Sequence, residues 1–465
     1  MQQTELKEGQ EVIVDIKRLG INGEGIAYYK KLAIFVNDAI PGEGINVRIT
    51  KILDKMAFAD IVDFKHTSPD RVEAKCPFYN VCGGCQTMHI EYNKMCDYKR
   101  DAVVEALTRY TRLNPRSFEI KKTFGMPNPF GYRYKSQLTA SNVSNKLGLG
   151  LIKSNTNKVT IIDNCLTQAD LVNKINKEVC EILNKYSFTA YDPKTQKGDI
   201  RNVVVRVSHY NQEAQVTLVY AYNKLDSKLS KVAKDIIKIE HVVSVAKSYH
   251  DTYDDGLIIQ KECVILEGKK TITETIGKYK FELSPESFFQ LNPVQTEHLY
   301  DFALKAAKLS RKETILDLYC GAGTIGIYMS NMAKKVIGVE VNPQAVKNAI
   351  ENAKRNNVKN AEYYAGTVYD LLPQLVEKNI NVDVLVCDPP RMGLGRDVCK
   401  MILDNEFKKV VYVSCNPATL AKDIDLLSKK YNVKYIQPVD MFPNTSHVET
   451  VVCLEARSFK VSQKS

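Results

Sequence analysis

Asp317 to Gly326 reads D-L-Y-C-G-A-G-T-I-G, a glycine loop placed between the apolar run T-I-L-D-L and a helical stretch. Gly321, Gly323 and Gly326 stand at G-x-G-x-x-G spacing, and Glu340 lies 19 residues after Gly321 at the end of the next apolar run. A strand, a glycine turn and a helix bring backbone close to a nucleoside, and a carboxylate one strand later accepts hydrogen bonds from ribose hydroxyls. Gly321, Gly323 and Glu340 are therefore expected to line a nucleoside pocket at the carboxyl edge of a parallel sheet.

Working outward, K-V-I-G-V-E-V, D-V-L-V-C-D and K-V-V-Y-V-S-C alternate with helical segments, among them P-Q-A-V-K-N-A-I-E-N-A-K-R-N-N with Pro343 in its first turn. This alternation predicts a Rossmann-like, doubly wound domain over 279–465. A dinucleotide and S-adenosylmethionine both suit such a pocket. Asp317, four residues before Gly321, favours S-adenosylmethionine, whose methyltransferases commonly open with D-x-x-x-G-x-G.

Upstream, five short alternating runs with glycine and proline turns predict a small OB-like β-barrel over 1–64. Between them, 65–278 reads as an α+β domain with a helix over Asp97 to Thr111. It also carries a hairpin formed by R-N-V-V-V-R-V-S-H-Y and A-Q-V-T-L-V-Y-A-Y. The expected whole is a multidomain α/β protein, as its 465 residues suggest.

With 44% hydrophobic and 26% charged residues, the chain has the composition of an ordinary soluble protein. No apolar run is long enough for a bilayer, and the first ten residues lack the features of a secretory signal. A cytoplasmic location follows, in which the 12 cysteines are reduced and serve as core, metal-ligand or catalytic residues. The formal charge of +11 favours a polyanionic partner.

Two further motifs carry chemistry. C-D-P-P-R, Cys387 to Arg391, follows the fourth strand and resembles the stiff loop of enzymes that methylate bases. V-S-C-N-P delivers Cys415 onto an Asn-Pro turn. Most free cysteines are small buried hydrophobes, but a thiol at a ligand-binding sheet edge has a specific use. Carbon 5 of a pyrimidine is a poor nucleophile until a thiolate adds to carbon 6. A base must afterwards remove the carbon 5 proton. Glu449, in H-V-E-T-V-V-C-L, is positioned for that task.

Together with S-F-F-Q-L-N, Ser287 to Asn292, these motifs occur in an order that resembles the RNA uracil-5-methyltransferase family, and the N-terminal barrel looks like a TRAM domain. The resemblance implies that Cys415 is the nucleophile and Glu449 the base. It also implies that Gln290, Tyr319, Glu340 and Asp388 bind S-adenosylmethionine. Thr324 and Thr367 stand where some relatives carry asparagine.

Cys76, Cys82 and Cys85, spaced C-x5-C-x2-C, argue for a metal centre, zinc or iron-sulfur. From spacing alone the fourth ligand is open between Cys96 and Cys165. The resemblance implies Cys165 and a [4Fe-4S] cluster with a structural role. In G-Y-R-Y-K-S-Q, Tyr132 and Tyr134 either stack on RNA bases or are buried in a strand. A uracil reached at carbons 5 and 6 must be unpaired or flipped.

The barrel and the cysteines together resemble the 23S rRNA branch of the family more than the tRNA branch. The expected activity is methyl transfer to carbon 5 of a uridine in 23S rRNA by a monomer. The alternatives are tRNA uracil-5 methylation, cytosine-5 methylation, a dehydrogenase, or a non-catalytic RNA-binding or remodelling protein.

Overall fold

The computed structural model describes residues 6–79, 81–153, 156–222, 227–250, 258–259, 263–377, 380–405 and 407–457. At the N-terminus a six-stranded sheet runs Glu11–Asp15, Gly44–Leu53, Met56–His66, Leu32–Val36, Gly25–Tyr29 and Arg18–Leu19 in spatial order. Its inward residues alternate along the strands, so Val14, Ile34, Val36, Ile45, Val47 and Ile49 form one separate apolar core. Arg18–Leu19 is a sixth strand beyond the five read from the sequence. It is only two residues long, too short for an alternation pattern to register.

The central sheet has seven strands, ordered Val159–Ile161, Lys146–Ile152, Lys135–Val143, Ile200–Val207, Ala214–Tyr220, Val242–Tyr249 and Val264–Gly268. Ile200–Val207 and Ala214–Tyr220 form the expected antiparallel pair. Helices Asp170–Lys185 and Ser227–Ile236 pack against this sheet around Val172, Val179, Val203 and Val216.

The third sheet has eight strands, and its order decides where a ligand binds. Ala361–Ala365, Lys335–Glu340, Thr314–Leu318, Val384–Cys387 and Lys409–Ser414 lie side by side and parallel. Glu449–Ala456 then inserts antiparallel between Lys409–Ser414 and Tyr431–Val439. The chain order reverses direction at Thr314–Leu318, which creates a crevice at the carboxyl ends of that strand and Val384–Cys387.

Three segments that fall wholly or partly in the region assigned by sequence to the centre pack here instead. Helix Tyr92–Tyr110 lays Val103, Ala106 and Leu107 into the same core as Leu316, Leu420 and Ile424. Strand Glu119–Ile120 completes the sheet edge beside Tyr431–Val439. Hairpin Ile272–Ile276 with Tyr279–Leu283 likewise shares a core with Leu299 and Ile315. The helix starts five residues before the expected Asp97, because the Glu91 side chain caps it by accepting from Lys94 N at 2.9 Å. Among the described residues, no helix is long and apolar enough to cross a membrane.

Candidate active site at the carboxyl edge of the eight-stranded sheet

The glycine loop leaves Thr314–Leu318 through Tyr319, which holds a left-handed conformation at φ +61°. For a bulky residue this costs about 1–3 kcal/mol. Flanking backbone bonds enforce it: Cys320 N donates to Val339 O at 3.1 Å and Gly323 N to Cys320 O at 2.8 Å. Asp317, buried in the strand, accepts from Gly326 N at 3.0 Å and so ties strand to helix. Its other oxygen, Oδ1, is buried without a partner. Glu340 accepts from Gly321 N at 3.1 Å and from Asn342 N at 2.9 Å, which turns its carboxylate toward the loop.

The glycines divide their work. A Cβ on Gly321 would point into open space, where a ligand has room. A Cβ on Gly326 would stand 2.8 Å from Val336 Cγ1 and 3.0 Å from Asp317 Oδ2. Gly326→Ala is thus expected to destabilise the ligand-free protein by about 1–3 kcal/mol through overpacking. A thermal unfolding midpoint equal to wild type would reject this close approach.

Cys415 and Glu449 come together at neighbouring strand ends. Ser414, the last residue of its strand, pairs with Thr450, so Cys415 leaves the strand end on the side where Glu449 begins the neighbouring strand, near enough that Glu449 is the leading charge raising its thiol. Cys415 is half-buried and immediately precedes helix Pro417–Leu427, which Asn416 caps by accepting from Ala418 N at 3.0 Å. The Asp388–Arg391 loop is clamped to this turn, since Asn416 Nδ2 donates to Arg391 O at 3.1 Å and Thr419 Oγ1 to the same oxygen at 3.2 Å. Asp423, buried in the helix, accepts from Leu394 N and from the Tyr412 hydroxyl, at 2.8 and 2.7 Å.

The cleft is electrostatically loaded. Burial pushes the Cys415 thiol up to about 11, with Glu449 and Asp388 adding to the rise and Arg391 opposing it. Burial and then Asp388 push Glu449 up to about 8 against the pull of Arg391. Burial alone raises Asp388 to about 7, and burial is the main cause that raises Asp317 to about 8.

These carboxyls stay protonated in the folded state at pH values where the unfolded chain has released its protons. The folded state therefore binds more protons between the ordinary glutamate value of 4.5 and about 8, and stability falls as pH rises through that window. The denaturant midpoint of ligand-free protein should be lower at about pH 9 than at about pH 5. A flat or rising midpoint would contradict the protonated cluster.

Gln290 lies half-buried in the loop between Leu283 and helix Pro293–Ala307. Two residues on, Asn292 Nδ2 donates to Met441 O at 3.0 Å, which anchors that loop to the segment leading to Glu449. Tyr300, on the same helix, shares a 2.7 Å hydroxyl bond with Thr324 Oγ1 of the glycine-loop helix. Thr367 bonds within its own turn, Oγ1 to Asp370 Oδ2 at 2.7 Å. Sequence reasoning missed Arg391 and Asp423. The signal for Asp423 is a charged residue within the apolar stripe of Leu420, Ile424 and Leu427.

Cys76, Cys82, Cys85 and Cys165 line one cavity, together with Arg133, whose Nε is buried without a partner. Cys96 lies elsewhere, beside Tyr92 and Gly125. Burial and then Cys165 push the Cys85 thiol up to about 12. Among the described residues, no three His, Cys, Asp or Glu side chains gather around a single ion position. Of the two readings of Tyr132, the structure has it buried, though outside a strand, and its hydroxyl donates to Pro443 O at 2.8 Å.

Comparison with known proteins adds the family context. A family model described as tRNA (Uracil-5-)-methyltransferase matches residues 91–457, and a TRAM domain model matches 5–62. An "uncharacterized RNA methyltransferase" of Listeria monocytogenes is 39% identical over 458 residues, covering 98% of this chain and 100% of the relative. A protein of the same description from Bacillus anthracis is 42% identical over 452 residues, covering 97% and 98%. The crystal structure of Pyrococcus abyssi tRNA (uracil-54, C5)-methyltransferase with S-adenosyl-L-homocysteine is 25% identical. It aligns with a TM-score of 0.73 over 95% of this chain and 100% of that one.

Proposed function

The chain belongs to the tRNA (uracil-5-)-methyltransferase family, and from that membership we propose that it methylates carbon 5 of a uridine in RNA, with Cys415 as nucleophile and Glu449 as base. The observation that carries this reading is that Cys415, Glu449 and Asp388 stand close enough to shift one another's titration, at the sheet edge where Ser414 pairs with Thr450 and which the glycine loop shares.

The pocket residues fit S-adenosylmethionine: open space at Gly321, an unpartnered Asp317 Oδ1, and the Glu340 carboxylate turned to the loop. Gly321, Gly323, Glu340, Tyr319, Gln290 and Asp388 would hold it. Bound there, it supplies an electrophilic methyl carbon.

The rest of the chemistry falls to this chain. Half-buried Cys415 loses its thiol proton to solvent, and its Sγ bonds to carbon 6 as the carbon 5–carbon 6 π pair moves onto carbon 5 and the adjoining carbonyl. Arg391, the cation that pulls Cys415 and Glu449 down, favours the thiolate during attack. Once carbon 5 is methylated, Glu449 takes its remaining proton and the Sγ–carbon 6 bond breaks. At neutral pH Glu449 begins protonated, so release should accelerate as pH rises through about 8. A pH-independent release rate from pre-formed adduct would remove Glu449 from this role.

We infer that the four cysteines suit a [4Fe-4S] cluster, because the donors are all thiols and they line one cavity. Cys76, Cys82, Cys85 and Cys165 would hold it, and it would cross-link the 76–85 loop to the central region. Cys82→Ser should lower bound iron and the thermal midpoint of anaerobically prepared protein. A wild type that binds zinc and no iron refutes the cluster.

The substrate proposed is 23S rRNA, on the family resemblance of a TRAM domain combined with these cysteines. The match over 95% of this chain to the Pyrococcus abyssi tRNA (uracil-54, C5)-methyltransferase favours tRNA as the second reading. Labelled S-adenosylmethionine with 23S rRNA and tRNA transcripts containing 5-fluorouridine decides between them. A denaturant-resistant adduct with 23S rRNA supports the first reading, one with tRNA alone supports the second, and none with either overturns uracil-5 chemistry.

A further inference from the structure

Glu449 reaches the cleft at the end of a hairpin connection, residues 440–448, whose base is closed by the pairing of Val439 with Glu449. Elements from distant parts of the chain tie down the first half of this connection. Lys99 and Asp440 form an ion pair with neither side chain exposed, and Lys99 Nζ also donates to Phe442 O at 3.2 Å. The Tyr92 hydroxyl donates to Asp440 Oδ2 at 2.8 Å, and Gln295 Nε2 donates to Asp440 O at 2.9 Å.

The last tie is different in kind. Asn444 is buried in a left-handed conformation at φ +64°. Its Nδ2 donates to Pro129 O at 2.8 Å, and its carbonyl accepts from Gln86 N at 3.1 Å and Thr87 N at 3.2 Å. Those two N–H groups directly follow Cys85, so the cysteine-bearing loop is hydrogen-bonded to the chain five residues before Glu449.

We propose that Asn444 is a positioning residue for Glu449, through which the loop after Cys85 sets the place of the proton-abstracting carboxylate. This rests on the reading of Glu449 as the base. Asparagine adopts the left-handed conformation more readily than most non-glycine residues, and contacts on both sides of it can fix the chain there. Here the Pro129 contact on one side and the paired N–H donors on the other do so. A β-branched residue resists that conformation, which would turn the carbonyl away from Gln86 and Thr87 and release the connection.

Only one step needs Glu449 as a proton acceptor. As it takes the carbon 5 proton, the C–H electron pair becomes the carbon 5–carbon 6 double bond, the carbon 6–Sγ bond breaks, and sulfur departs as thiolate. Addition and methyl transfer precede this step and need Cys415. Displacing Glu449 therefore slows release and leaves adduct formation intact.

The test uses full-length protein, labelled S-adenosylmethionine and the unmodified 23S rRNA or tRNA transcript that wild type methylates. Adduct and free methylated RNA are followed in a single turnover. Asn444→Val should form adduct at close to the wild-type rate and release product roughly 10–100-fold more slowly, the scale of an ångström-sized misplacement. Asn444→Gly, which keeps the left-handed turn, should restore most of the release rate.

Glu449→Gln is the reference for a missing base. If it fails to trap adduct, the reading of Glu449 falls. If it traps adduct but Asn444→Val releases product like wild type, the positioning role falls. Equal slowing of formation and release in Asn444→Val, or no rescue by glycine, also overturns it. Should the valine variant not fold, Asn444→Ala replaces it, with the same direction of effect expected.

Discussion

Cys415→Ala should abolish methyl transfer, by roughly 10⁴-fold or more, while leaving S-adenosylmethionine binding intact. The size of the effect follows from the ring chemistry. Without a bond to carbon 6, carbon 5 carries too little electron density to attack a methyl group, and alanine offers no substitute. Binding should survive because the hydrogen bonds that hold the glycine loop run through Asp317, Cys320 and Val339. Single-turnover transfer and a cofactor titration, run together, separate the two. Transfer at the wild-type rate would dismiss covalent catalysis, whereas joint loss of transfer and binding would make Cys415 a structural residue.

Glu449→Gln should slow turnover by about 10²–10⁴-fold, the usual contribution of a general base, and should accumulate a methylated protein–RNA adduct on ordinary uridine. A second, independent readout comes from electrostatics. Glu449 is the leading charged group raising the Cys415 thiol, so its neutral amide should bring that thiol down from about 11 toward the ordinary 9.0. Alkylation of Cys415 in the free protein would then reach its midpoint at lower pH. Adduct without a shift in alkylation would keep Glu449 as base but place it farther from the thiol. A shift without adduct would keep the proximity and move the base elsewhere.

How much of this was legible in the chain varies by residue. Gly321, Gly323 and Glu340 announce themselves, because a strand–turn–helix with fixed glycine spacing is a local device whose meaning lies within about thirty residues. Tyr132 was ambiguous because alternation puts a tyrosine on one face without saying what covers that face. Pro443, more than three hundred residues away, covers it. Helix Tyr92–Tyr110 was read as a helix but assigned to the wrong neighbour, since its apolar stripe is complementary to any core. Its true partner, helix Pro417–Leu427, is distant in sequence.

Local pattern thus determined the parallel sheet, the glycine loop and the N-terminal strands, and marked Cys415 and Glu449 as candidates, because periodicity and turn chemistry act between near neighbours. Tertiary structure alone decided that Cys415 lies near Glu449, and that four cysteines line one cavity. It alone also decided that Asn444 joins the cysteine loop to the chain before Glu449. Register and long-range hydrogen bonds depend on how separate elements close around a shared core, and no window of sequence contains both partners.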